Sequence, residues 1–326
     1  MDLAYDLIYA NADMEDVGVL LDYTLDLAIG SDENDFELVV DVGSHVCWEG
    51  YYLYIEGTEY GGIVDTIQVR TAEKEITYKG RTWQGILASK VLEPDAGEDY
   101  LVVSGEANAA IKQLIERMDL SGLFAASEAN SGIEIKNYKM NRYIDGYAGL
   151  VKMLASTDGK LLFSFHNKKV VLSAVLAVDY SREEQFDSDL VGMDVEKGFH
   201  PINHVICLGR GDLADREVIH LYADSRGKVS HMQRLASLEE VVAVYENPNA
   251  ESTEELEQGG IKLLEESRAA SSKISMSFGG SDAVYDIGDT IGAQERITGI
   301  EAAEKITKKI VSISRGSIEI EYKVGE

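Results

Sequence analysis

Proline occurs three times in 326 residues, which excludes long proline-rich linkers. Cysteine occurs twice, at Cys47 and Cys207, too few for a clustered metal site. The two read as buried free thiols in a reducing compartment, with a structural disulfide as the alternative. No apolar run approaches the ~18 residues needed to cross a bilayer. The opening Met1-Asp-Leu-Ala-Tyr-Asp6 lacks the basic start and apolar core of a signal peptide. These absences point to a chain assembled in a cytoplasm, with no membrane span. Basic residues are scarce beside acidic ones: 30 Lys and Arg against 58 Asp and Glu, a net charge of −28. A surface that grips nucleic acid needs clustered cations for phosphate, so that class is disfavoured. The charge serves solubility, or a surface that must not stick to DNA.

A hydrophobic content of 45% is ample for packed cores, and the length suits two or three domains. Residues 1–94 are β-rich. Alternating apolar residues run from Tyr23 to Ile29, Asn34-Asp35 signals a turn, and Phe36, Leu38 and Val40 alternate again. Strands are also predicted at Tyr51–Ile55, Gly62–Val69 and Glu75–Lys79, with a short apolar segment at Thr82–Leu87. Residues 95–190 are mixed. Ser104 is placed to cap a helix carrying Ile111, Leu114 and Ile115, and Asp145 a second one stopped by Asp158-Gly159. Lys160–Phe165 and Lys169–Leu172 form a hairpin. Residues 191–326 return to strands, at His204–Leu208, Arg216–Tyr222 and Lys273–Phe278. Ser252-Thr-Glu-Glu255 is a capping box opening a helix to Ala270, anchored by Leu256, Leu263 and Leu264 and weakened by Gly259-Gly260. The closing stretch has a Tyr285-Asp-Ile-Gly-Asp289 turn, then a period-two hairpin pivoting at Arg315-Gly316. The fold class is therefore α+β, mainly β.

Chemistry-bearing residues are plentiful but unorganised. Gly209-Arg-Gly-Asp212 has neither phosphate-loop pattern and reads as a β-turn; its Arg-Gly-Asp matches an adhesion tripeptide by chance. His200 and His204 are four apart, but Pro201 breaks a helix there, and His220 and His231 can approach only through the fold. With 58 acidic residues, some carboxylate pair must fall at a glycosidase-like spacing, so such a pair carries little information. Serines lack a nucleophile elbow. The 17 tyrosines suit half-exposed strands, or a sugar platform involving Tyr51 and Tyr54. No catalytic, cofactor-binding or metal-binding residue is nominated, and no cofactor is expected.

The order of features resembles a known family. Asn34-Asp-Phe-Glu-Leu38, Gly61-Gly-Ile-Val-Asp65 and Glu75-Ile-Thr-Tyr-Lys-Gly-Arg-Thr-Trp-Gln-Gly-Ile-Leu87 look like the N-terminal part of siphophage and prophage tail hub proteins. Pro201-Ile-Asn-His-Val-Ile-Cys-Leu-Gly-Arg-Gly211 is similar to their second β module. Tyr285-Asp-Ile-Gly-Asp-Thr-Ile291, Ile297-Thr-Gly299 and Tyr322-Lys-Val-Gly325 resemble its close, whereas residues 120–140 depart from the pattern. The resemblance implies two tube-like β-barrel domains, at 1–94 and 191–326, with an α+β domain inserted at 95–190 and a helical excursion at about 250–270. It implies a trimeric, pseudo-sixfold baseplate or tail-tip hub ring. Its partners would be tail tube and distal tail proteins, the tape-measure protein and tip spike or fibre proteins. DNA would be passing cargo, and the protein would reside in the virion tail after assembly in the bacterial host cytoplasm. The sequence stops at Glu326 straight after the closing module, so no hydrolase is expected on it and the protein is read as a non-enzyme. A carbohydrate- or receptor-binding module and a peptidoglycan or glycoside hydrolase are the rival readings.

Overall fold

A computed structural model of the chain describes residues 6–181, 185–187, 192–197, 201–224, 227–250, 252–279, 284–294, 301–314 and 317–325. The described residues are mainly β with four α-helices. The first strands are β1 (Leu7–Ala10), β2 (Asp16–Leu20), β3 (Thr24–Gly30), β4 (Asn34–Asp41), β5 (Tyr52–Tyr54), β6 (Gly61–Arg70) and β7 (Glu75–Thr82). Helix α1 (Trp83–Ala88) and strands β8 (Val91–Leu92) and β9 (Val102–Glu106) lead to α2 (Ala107–Arg117). Then come β10 (Phe124–Ala126), β11 (Glu134–Lys139), β12 (Ile144–Asp145), α3 (Gly146–Ala155), β13 (Gly159–His166) and β14 (Lys169–Leu176). Two short strands, β15 (Gln185–Asp187) and β16 (Gly192–Lys197), precede β17 (His204–Leu208), β18 (Val218–Ala223), β19 (Val229–Ser230) and β20 (Val242–Glu246). Helix α4 (Thr253–Ser271) is followed by β21 (Ser272–Gly279), β22 (Thr290–Gln294), β23 (Glu301–Ser314) and β24 (Ser317–Val324).

Two compact units emerge. The first comprises Met1–Gly192 and Met276–Gly325. Its large sheet runs β21-β24-β23-β3-β4-β7-β6-β5-β1-β2, with β22 pairing β23 and β15. The strands around β3 are antiparallel; β23 lies on β3 with Val311 opposite Leu27 and Ile313 opposite Leu25. Period-two alternation sends Leu25, Leu27, Phe36, Leu38, Tyr78, Val311 and Ile313 to one side, where they form a buried core. A second core in this unit gathers Trp83, Ile111, Leu114, Leu150, Phe165 and Leu172 from α1, α2, α3 and the β13–β14 hairpin. Of the closing hairpin, Arg315-Gly316 lies outside the described residues, as does 297–300.

The second unit, Met193–Ser275, has a four-stranded sheet ordered β19-β18-β17-β20, with β20 parallel to β17. Helix α4 covers one face: Leu256 and Leu264 pack with Val205, Cys207 and Leu221. The glycines expected to weaken α4 are where it meets the sheet. A Cβ on Gly260 would sit 2.3 Å from Cys207 Sγ, and one on Gly259 2.3 Å from the Tyr245 hydroxyl. Close approach thus offsets the helix-propensity cost.

Two local expectations need correction, and one segment gains a type. Ser104 lies in β9, and Glu106 caps α2 by accepting from Ala109 N at 2.9 Å. A glutamate reaches the cap because Ser131 holds it from the far side, its backbone N donating to the same carboxylate at 2.8 Å. The apolar segment at Thr82–Leu87, to which the pattern gave no type, is mostly helix α1, with Thr82 as its cap, its Oγ1 accepting from Gly85 N at 3.3 Å. Asn34 and Asp35 already belong to β4; the turn precedes them, and the Asn34 amide closes it by bonding Gly30 N and O. Other signals hold. Asp145 accepts from Ala148 N at 2.9 Å, and Ser252 accepts from Glu255 N at 3.2 Å. Helix α3 stops at Ala155, before Asp158, which takes a left-handed φ of 55°.

Candidate functional site

The residues singled out by type are occupied structurally. Cys47 and Cys207 are free and buried; burial pushes the Cys47 thiol up to about 12 and Cys207 in the same direction. Such thiols are poor nucleophiles. Gly211 adopts φ +93° in a turn where Glu217 N donates to Arg210 O at 2.7 Å. His200 lies outside the described residues. His204 Nδ1 stands 2.7 Å from Glu240 Oε1 and its Nε2 2.8 Å from His220 Nδ1. His231 comes within 3.3 Å of the His220 carbonyl, so the fold does bring these two together. Among the described residues, no group of three or more His, Cys, Asp or Glu is arranged to hold a metal ion. Tyr54, offered for a sugar platform, is 3% exposed; it donates to Asp16 Oδ1 and its ring lies 4.1 Å from that of Phe165. Tyr51 packs against the first-unit sheet core.

Sequence reasoning missed a buried ionic cluster in the first unit. Lys160 Nζ donates to both oxygens of Asp289, at 2.9 and 2.8 Å, and to Asp286 Oδ2 at 2.8 Å. Lys309 Nζ donates to Glu59 Oε1 at 2.7 Å and to Asp286 Oδ1 at 3.2 Å. Asp289 also accepts from Val178 N at 2.8 Å. Burial disfavours both ammonium groups, but Asp286 with Asp289 raises the Lys160 pKa and Glu59 with Asp286 raises that of Lys309. Burial likewise opposes ionisation of Asp286, and Lys309 and Lys160 overcome it, holding the carboxyl below its ordinary range. A catalytic lysine needs the opposite shift and a free lone pair. All three Lys160 protons are engaged, so the cluster pins the Tyr285–Asp289 turn onto β13 rather than reacting. The partners are 126 and 129 positions apart for Lys160, beyond any local motif.

The extended feature that remains is the outer face of the first-unit sheet. The alternation that buries Leu25, Leu27, Phe36 and Leu38 turns Asp26, Asp35 and Glu37 outward. Register continues the row: Glu319 opposes Ser312, Ser312 opposes Asp26, Asp26 opposes Glu37, and Glu37 opposes Lys79. A shallow concavity of about 460 Å³ on this face is lined by five carboxylates (Asp26, Glu33, Asp35, Glu37, Asp65) and two cations (Lys79, Arg81). Lys79 Nζ pairs with Glu37 at 2.6 Å. Arg81 holds Asp65 through two bonds, Nε–Oδ2 2.8 Å and Nη2–Oδ1 2.7 Å, which keeps that carboxyl below its ordinary range. Both cations are thus engaged with carboxylates and Glu33 is paired with Lys308, so Asp26 and Asp35 give the concavity a net negative charge. It repels phosphate within a Debye length of ~8–10 Å.

No protein-family model matches the sequence, and no curated protein does. Among solved structures, the tail protein from Neisseria meningitidis MC58 matches with a TM-score of 0.56 at 14% identity, over 99% of this chain and 97% of that one. The 43 kDa tail protein of prophage MuSo2 from Shewanella oneidensis matches at 0.58 and 11%, over 98% of each chain. Prophage tail protein gp18 from Listeria monocytogenes EGD-e matches at 0.54 and 11%, over 98% of this chain and 94% of that one. The likeness is one of fold, and it runs through nearly the full chain: this protein has the fold of prophage tail proteins.

Proposed function

We propose that the protein is a structural component of a bacteriophage or prophage tail, a hub that joins the tail tube to the tail tip. The observation that carries this reading is the full-length fold match to three tail proteins. In this reading the chain forms two tube-like barrels, from 1–94 and 191–326, around an α+β insertion at 95–190. Three copies make a ring in the virion tail, in contact with tube, distal tail, tape-measure and spike or fibre proteins. DNA passes through without being gripped, and the Asp26–Asp35–Glu37 face lines the passage: fixed carboxylates deny phosphate the counterion release that would hold it. The protein acts as a structural part, not as an enzyme. Burial of Tyr54 counts against the sugar-platform alternative.

Electron microscopy of the purified protein, with immunogold labelling of intact tails, tests this. The expected result is a three-copy ring with the Asp26–Asp35–Glu37 face inward, and label at the tail tip. A ring with that face outward sinks the DNA-passage idea; label absent from the tip sinks the hub.

A further inference from the structure

Helix α4 covers one face of the second-unit sheet, and among the described residues the other carries no helix. Its residues follow from register: Leu208 opposes Val218, Ile206 opposes His220 and Val244, and His204 opposes Tyr222 and Val242. Val218, Val242 and Val244 are 47%, 47% and 55% exposed in the whole chain. Isolated exposed valines are ordinary, but three on neighbouring strands, flanking partly exposed Ile206 and Leu208, make a contiguous apolar field. Its upper end is stiffened by stacking, with the His204 and Tyr222 rings 4.3 Å apart. Charge is sparse. The field meets a charged side chain at each end: Glu246, 3.6 Å from Arg216, at the lower end, and Glu240, 2.7 Å from His204 Nδ1, at the upper. Apolar, aromatic and charge-depleted is the composition of an interface centre.

We propose that this face is where a second copy of the chain packs. The occupant is argued from charge. A basic partner would be drawn to the carboxylate-rich faces of a chain carrying −28, and not to a field without carboxylates at its centre. A charge-poor face is where an acidic partner is repelled least, and a second copy is such a partner. The inference rests on the proposal that copies associate in a hub, and names the surface through which they meet.

Sedimentation velocity over a wide concentration range tests it, with Val244→Asp beside Val69→Asp, a valine of 52% exposure in the other unit, as control. The expected result is an associated species in the wild type and in the control, lost in Val244→Asp while circular dichroism and melting are unchanged. Added NaCl should preserve or strengthen association, because it screens repulsion between like-charged copies; dissociation by salt would overturn the proposal. Val244→Cys adds a second reading. Both native thiols are buried, so alkylation of the native fold reports the introduced one. Its alkylation should slow in step with the associated fraction. Unchanged association of Val244→Asp, or equal reactivity in free and associated forms, overturns this contact and leaves the hub reading standing. A wild type that stays monomeric throughout also overturns it, whereas the hub itself is judged by labelling of tails.

Discussion

Lys309 shows what a single residue holds in this fold. Its side chain is 2% exposed and bridges Glu59 and Asp286. Lys309→Met leaves Glu59 without its cation and Asp286 with Lys160 alone, which costs about 3–5 kcal/mol, measurable by urea unfolding. The same cluster sets a pH window. Asp286 has a folded pKa below its unfolded one, so its contribution is present above about pH 4 and lost on acidification. Lys160 and Lys309 have raised folded values, so theirs is present below about pH 10 and lost as pH climbs further. Melting temperature should therefore be flat between those limits and fall outside them. Glu106 steepens the acid limb. Burial opposes its ionisation, but bonds from Ser131, Ala109 and Asn108 bring it down to about 2, so the α2 cap fails between about pH 4 and 2. The Cys47 and Cys207 thiols should resist iodoacetamide in the native protein and react in guanidinium, as read by mass spectrometry. None of the Lys160 and Lys309 pairings is visible in sequence, because a lysine at an alternating strand position looks the same whether it faces water or a buried aspartate.

Among the elements, α4 gives the sharpest test. Gly260→Ala gains about 1 kcal/mol of helix propensity but forces a methyl against Cys207 and Leu221, where overpacking costs about 1–3 kcal/mol. The expected balance is a loss, seen as faster hydrogen exchange across residues 193–275. Adding Cys207→Ala should shrink that penalty, the mark of a coupled pair. The strands of alternating pattern were legible: His204–Leu208 appears with the predicted bounds, and Phe36, Leu38 and Val40 point inward as expected. The Asp145 and Ser252 caps were legible too, since a cap is a contact within three residues. Helix α1 was not. Six residues rich in apolar side chains carry no period that separates helix from strand, and all but Ala88 are buried, so tertiary packing decides. Glu106 displaced Ser104 as a cap through Ser131, 25 positions away.

Over the whole molecule, charge was the most legible property and its placement the least. A net −28 predicts a melting temperature that rises from low to physiological ionic strength, as screening relieves self-repulsion. Composition could not say that carboxylates gather on one sheet face while a sheet in the other unit exposes a nearly charge-free one; register had to be known first.

Strand β23 also fixes an order of events during synthesis. It supplies Val311 and Ile313 to the core that β3 begins, and Lys308 reaches back to Asp32, 276 positions earlier. At the usual ~5–20 residues per second, β3 leaves the ribosome roughly 15–55 s before its neighbour exists. During that interval one edge of β3 stands bare, while residues 193–275 can already complete their own sheet and helix. The last core to close is therefore the one laid down first. A nascent chain arrested before residue 301 should show native-like protease resistance in 193–275 and open, cleavable strands around Leu25 and Leu27.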